Sequence, residues 1–212
     1  MQFREGNFDE WARVVKILLR ALVGRLIYLC FTKPDLAYSV HVLSQLQNSR
    51  IEHWYATLRV VRYLKGHPGL GILLPWQNDL QLCGWCDFDW ASCPFTRKSL
   101  TGWSIQLGTS PISWKTQTIN TVSAFSVEVE YRSMARSIRK LKWIKDILLL
   151  SSLHVSHPAP ICLHCDNQTA LHIAKNHIFY ECTKHIKVDF YFVRDEIVHN
   201  HSYRLMFLLI SN

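Results

Sequence analysis

With 212 residues, 49% of them hydrophobic, the chain has material for one large core or two small ones, and its composition excludes a disordered tail. Its 24 Lys and Arg against 16 Asp and Glu leave a net charge of +8, which points to a polyanionic partner, either nucleic acid or an anionic membrane surface. The apolar run "KILLRALVGRLIYLCF" is interrupted by Arg20 and Arg25 short of the roughly 20 residues of a bilayer-spanning helix, and the polar start "MQFREGNFDEW" does not read as a signal peptide. A soluble intracellular chain with no membrane partner is expected, cytoplasm and nucleus being left open.

In chain order, three helices are predicted first, over 10 to 31, 35 to 48 and 51 to 66. Pro34 and Asp35 open the second, and "GHPG" closes the third. The texture changes near residue 76, which places a boundary between a small helical unit, 1 to 76, and a second unit, 77 to 212. Short β-like runs follow, "LQLCGWCDF", "GWSIQLG" and "PISWK". A long helix is predicted from about 123 to 152, then a strand "ICLHCD", a helix from "NQTALHIAKN", a helix around "KHIKVDFYFVRDEIVHN" and a last strand "YRLMFLLI". That succession predicts a mixed sheet flanked by helices.

The stretch "LQLCGWCDFDWAS" ends a buried-looking strand on two carboxylates, Asp87 and Asp89. Ionised acids beside an apolar interior need a cation, a basic partner or open water. On the long helix, Val127, Tyr131, Met134, Ile138 and Leu141 fall on one stripe at about 100° per residue, so that stripe is expected to face the sheet. Glu130 lies at its edge. Glu128 projects about 160° away from Glu130 on the same wheel, and Arg132, Arg136, Arg139 and Lys140 occupy the far face. Asp166 follows a strand and precedes a helix, as an N-cap would. Three acids at strand ends and a helix start also fit the place where functional groups gather in α/β sheets.

Seven cysteines without an export signal read as reduced thiols. Two pairs have CxxC spacing, Cys83 with Cys86 and Cys162 with Cys165, and raise a zinc-dependent interaction protein as an alternative. Residues three apart on a strand point to opposite faces and cannot grip one ion unless Gly84 opens a turn.

The stretches "LVGRLIYLCFTKPDLAYSV", "HWYATLRVVRYLKG", "CDFDWASCPFTRKSLTGW", "ISWKTQ", "VEVEYRSMA", "CDNQTALHIAKN" and "TKHIKVDFYFVRDEI" together resemble the Pol polyprotein of copia-type LTR retrotransposons, at the end of its reverse transcriptase and its ribonuclease H. The resemblance covers nearly the whole chain. It implies an α/β ribonuclease H-like fold, a mixed five-stranded sheet flanked by helices, over 77–212. The helical tail of the polymerase, a thumb- or connection-like segment, precedes it. The implied activity is two-metal hydrolysis of the RNA strand of an RNA/DNA hybrid. Asp87, Glu130 and Asp166 are the implied catalytic residues and ligands of Mg²⁺ or Mn²⁺. Arg97, Lys98, Arg132, Arg136 and Arg139 are candidates for phosphate contact, and the rest of the polyprotein is a further partner.

The family's fourth acid, in an Ala-Asp box after the final strand, has no counterpart before Asn212. The family's Ser-Ser-Ala, His-Glu-Arg and DxHF positions read "AFSV", "YEC" and Tyr191 here. Impaired cleavage is therefore expected, with a non-catalytic nucleic-acid-binding remnant as the alternative. The paired-aspartate polymerase site is missing, so no polymerase activity is expected.

Overall fold

The computed structural model describes residues 6–45, 50–93, 96–119, 126–150, 161–166, 187–199 and 203–207. The chain divides into two compact units, Met1–Leu73 and Leu74–Asn212. The division falls slightly before the change in texture near 76, and Asn78 is tied to the sheet. Its side-chain amide donates to the carbonyl of Leu107 at 2.7 Å, and its Oδ1 accepts from the Thr109 N–H at 3.1 Å, so the segment ahead of the first strand belongs to the sheet unit.

The first unit is three helices: α1 (Gly6–Leu29), α2 (Ala37–Ser44) entered through a 3₁₀ turn at Pro34–Leu36, and α3 (Ile51–Gly66). Leu19, Val23 and Leu26 recur at helical spacing on α1 and are buried, whereas Arg20 and Arg25 stay on its solvent side. Leu19 and Val23 pack with Leu43, Trp54 and Val60, and Leu26 packs with Leu36, Val40, Val60 and Leu64. Val60 joins both clusters, so α3 closes the unit. The first turn of α3 is capped by His53, whose Nδ1 accepts from the Arg50 N–H at 3.1 Å. At the other end the His67 N–H bonds to the Tyr63 carbonyl, and Pro68, which has no N–H to donate, ends the helix.

The second unit opens with an antiparallel meander, β1 (Leu82–Asp89), β2 (Leu100–Leu107) and β3 (Ser110–Thr118). Gly108, at φ +57°, makes the β2–β3 turn, and a side chain there would collide with Asn78 and the carbonyl of Asp79. Helix α4 (Ser126–Leu150) follows, then β4 (Ile161–Cys165), α5 (Lys187–Arg194) running into a π-helical turn at Asp195–His199, and β5 (Tyr203–Phe207). The sheet order is β3-β2-β1-β4-β5, with β4 parallel to β1 and β5 parallel to β4. The result is an α/β unit with a mixed sheet. The helix predicted from "NQTALHIAKN" lies outside the described residues, as do the last residues of the final predicted strand.

One face of β1 and β4 carries Leu82, Cys86, Ile161, Leu163 and Cys165, all buried under α4 residues Tyr131, Met134, Ile138 and Leu141. The predicted stripe does face the sheet, with Val127 partly buried, but the buried surface of α4 is wider than a single stripe. Val129, Ser133, Ala135 and Ser137 are buried as well. Ser133 is bonded to the end of β1, and α5 covers α4 from another side. Phe190 packs on Tyr131 with ring centroids 5.2 Å apart, and two ion pairs tie the helices together, Arg139–Asp189 at 2.6 Å and Lys142–Glu196 at 2.5 Å.

The approach of α4 to the sheet depends on Gly84. A Cβ at this position would lie 2.8 Å from Cδ1 of Leu141 and 3.2 Å from Cδ1 of Leu163. Gly84→Val is expected to cost about 1–3 kcal/mol by overpacking, read as a lower urea midpoint. In a Leu141→Ala background the same substitution is expected to cost less, because the truncated side chain leaves room; equal cost in both backgrounds refutes the contact as its cause.

Candidate metal and nucleic-acid site

Parallel pairing sets the level of two acids. Cys83 pairs with Cys162 and Trp85 with His164, a constant offset of 79 residues that carries Asp87 to the level of Asp166 at the ends of β1 and β4. Glu130 comes to the same strand end from the first turns of α4. One oxygen of Glu130, one of Asp166 and Sγ of Cys165 lie within 4.8 Å of one another. Asp87 is not a member of that tight set, yet it senses its neighbours. Burial of its carboxyl raises the pKa above the ordinary carboxylate value, the Phe88 N–H bond at 2.8 Å to Oδ1 opposes this, and the charges of Asp166 and Asp89 add to the rise.

The three acids differ in exposure. Glu130 is 1% exposed, whereas Asp87 and Asp166 are open to solvent. The Cys165 thiol donates a hydrogen bond to Oε1 of Glu130. Ser133, one turn along α4, donates from Oγ to the Asp87 carbonyl at 3.1 Å and fastens the end of β1 to the helix. Neither Cys165 nor Ser133 was singled out from the sequence for this site. Their signals were present: Ser133 follows Glu130 by three residues on the same side of the helix, and Cys165 has the strand parity of the buried face.

Glu128 departs from its expected place. The wheel turned it away from Glu130, but it is 7% exposed. A single wheel assumes one buried side, and the start of α4 is covered on more than one.

The basic residues divide. Arg97 is exposed in a loop closed by backbone bonds between Cys93 and both Arg97 and Lys98, and it adopts φ 54°, a left-handed conformation costly for a residue with a Cβ. Lys98 is half-buried beside it. On α4, Arg139 is held by Asp189 and lies over the Phe192 ring at 4.6 Å. Arg136 reaches Oγ1 of Thr101 at 3.4 Å, and burial lowers its pKa. Arg132 is half-buried. On the predicted far face of α4, Arg132 and Arg136 are thus half-buried, whereas Arg139 is exposed and paired with Asp189.

The donor set suits a hard divalent cation. Carboxylate oxygens of Glu130 on α4 and of Asp166 just after β4 converge, and a third acid, Asp87, stands at the same level. Cys165 is the one soft donor in the set, and its proton is directed at Glu130. The CxxC pairs do not make a zinc site: in each, the second cysteine is buried on the α4 side and the first lies on the other face.

The chain is 40% identical over 179 residues to the retrovirus-related Pol polyprotein from transposon RE2 of Arabidopsis thaliana and 38% identical to that from transposon RE1 of the same plant. Each match covers 84% of this chain and 12% of the relative. The Pol polyprotein from transposon TNT 1-94 of Nicotiana tabacum is 32% identical over 191 residues, 89% of this chain and 14% of the relative. The chain thus spans about one-eighth of the length of these curated relatives. No family model matches it, and no solved structure does.

Two outcomes follow from the site. A carboxyl whose pKa in the fold exceeds its unfolded value subtracts from stability when ionised, and that loss fades as pH falls through the folded value. Asp87→Asn is expected to raise the urea midpoint at pH 7, with the gain shrinking as the pH approaches the ordinary value of 3.8; a lowered midpoint at pH 7 contradicts the assignment. Cys165→Ala removes a donor from buried Glu130 and is expected to cost about 1–3 kcal/mol. Cys165→Ser, which keeps a donor, should retain most of that stability in the same denaturation series.

Proposed function

Because the chain belongs to the copia-type retrotransposon Pol polyprotein family, we propose that residues 77–212 are a ribonuclease H-like domain acting on the RNA strand of RNA/DNA hybrids, preceded by the helical tail of the reverse transcriptase over 1–76. The observation that carries this reading is the meeting of Glu130 and Asp166 within 4.8 Å at a strand end, with Asp87 level with them on the neighbouring strand. The mixed α/β sheet supports the fold assignment.

In this reading Asp87, Glu130 and Asp166 offer carboxylate oxygens to Mg²⁺ or Mn²⁺. Such ions, when bound, supply an activated water and charge stabilisation at the leaving oxygen. Cys165 restrains one oxygen of Glu130, and Ser133 holds the backbone of Asp87 against α4, so two of the acids are set before any ligand arrives. Arg97 and Lys98, eight to eleven residues after the acids of β1, meet the phosphates of the hybrid, whose shallow groove is recognised by shape and 2′-hydroxyls rather than by sequence. Arg132 and Arg136 add positive charge near Glu130, and Arg139 contributes what its ion pair with Asp189 leaves.

A second reading, hybrid binding without cleavage, is favoured by one observation. Glu130 is 1% exposed, with an oxygen engaged by a thiol. The basic charge of the chain would then act alone.

The test is a doubly labelled RNA/DNA hybrid incubated with the chain and Mg²⁺ or Mn²⁺. Cleavage confined to the RNA strand, dependent on the cation and reduced at least about a hundredfold by Asp87→Asn, Glu130→Gln or Asp166→Asn, supports the nuclease. Salt-sensitive binding with no cleavage supports the second reading, and absence of binding at low salt removes both.

A further inference from the structure

The sheet face opposite α4 carries a pair of thiols that the proposed nuclease chemistry does not use. Cys83 on β1 and Cys162 on β4 are register partners in parallel strands, so their side chains leave the sheet on the same side and in the same direction. The parity is fixed by their neighbours: Leu82, Gly84, Ile161 and Leu163 face α4. The next pair along the same face shows the geometry directly, since the rings of Trp85 and His164 stack 11° from parallel with centroids 5.1 Å apart. Both thiols are partly exposed and free.

Side chains held parallel in this way are poorly disposed to form a disulfide. Neighbouring strands run about 4.8 Å apart, whereas a disulfide draws its Cβ atoms to about 3.8 Å. A metal ion between two sulfurs has the opposite requirement. Two metal–thiolate bonds of about 2.3 Å placed end to end span about 4.6 Å, close to the strand spacing. A zinc ion would need two further ligands. Among the described residues, no third His, Cys, Asp or Glu joins this pair within 4.8 Å. A cation satisfied by two soft donors in line is Cu(I), the ion thiolates select.

We propose that Cys83 and Cys162 form a two-coordinate site for Cu(I), bridging β1 and β4 on the face away from α4. Binding exchanges two thiol protons for one cation: two S–H bonds break, two Cu–S bonds form, two protons pass to solvent, and no electron is transferred. Burial and the neighbouring Cys162 push the Cys83 thiol up to about 11, so at neutral pH it carries the proton that the cation displaces. The bridge would lie one residue pair, Trp85 and His164, short of Asp87 and Asp166 on the same two strands.

The experiment is an anaerobic titration of the full chain with Cu(I) against a chromogenic Cu(I) chelator. The wild-type chain is expected to withhold one equivalent. Cys83→Ser and Cys162→Ser should each weaken that site at least about a hundredfold, more than loss of a merely supporting contact, while Cys30→Ser leaves it intact. A second measurement needs no variant: one equivalent of Cu(I) should protect Cys83 and Cys162, and not Cys30, from iodoacetamide, as read by peptide mass spectrometry. Equal alkylation with and without Cu(I), or Cu(I) affinity unchanged in both Ser variants, overturns the site. A Cys83–Cys162 disulfide appearing in air overturns the geometry on which it rests.

Discussion

Helix α4 lies against strands β1 and β4 because position 84 carries no side chain. The space a Cβ would take is occupied by Leu141 from the helix and Leu163 from the neighbouring strand. The same helix places Ser133 against the Asp87 carbonyl and Glu130 against the Cys165 thiol. The candidate site is therefore built from the core outward. Glu130 and Asp166 meet at the end of β4, and Asp87 stands level with Asp166 at the end of the neighbouring β1.

The same helix resolves a conflict of charge. It carries acids at its start and a run of basic residues along its middle, and a lone helix would leave the latter in water. Instead Asp189 of α5 and Glu196 of the π-helical turn that follows it pair with Arg139 and Lys142, while Phe192 lies under Arg139 and Lys140 rests on Trp143 at 3.6 Å. Glu196 is buried and Lys142 is exposed, so the lysine reaches inward to a carboxylate that would otherwise be costly to bury. Part of the positive charge of the chain thus holds the fold.

Strand parity divides the cysteines by environment. Cys86 and Cys165 sit in the core beneath α4, where Cys86 bonds the His164 carbonyl and Cys165 the Glu130 carboxylate. Cys83 and Cys162 face the other way as register partners. A spacing that looks like a metal clasp when read along one strand becomes two unlike pairs once the strands lie side by side, and the pairs run across the sheet.

The sequence by itself determined what depends on neighbours along the chain: the three helices of the first unit, the strand runs from β1 to β4, the inward stripe Tyr131, Met134, Ile138 and Leu141, the opposed faces within each CxxC pair, and the order of motifs that identifies the family. These follow from periods of 3.6 and 2 and from Pro and Gly punctuation, all local. Tertiary structure alone decided that Glu128 is buried, that Arg136 is half-buried and reaches Thr101 while Arg139 is held by Asp189, and that Cys165 joins the acids. A helical wheel knows one helix and its own period; it holds no information about a second helix arriving from fifty residues away, or about which strand end an acid will meet.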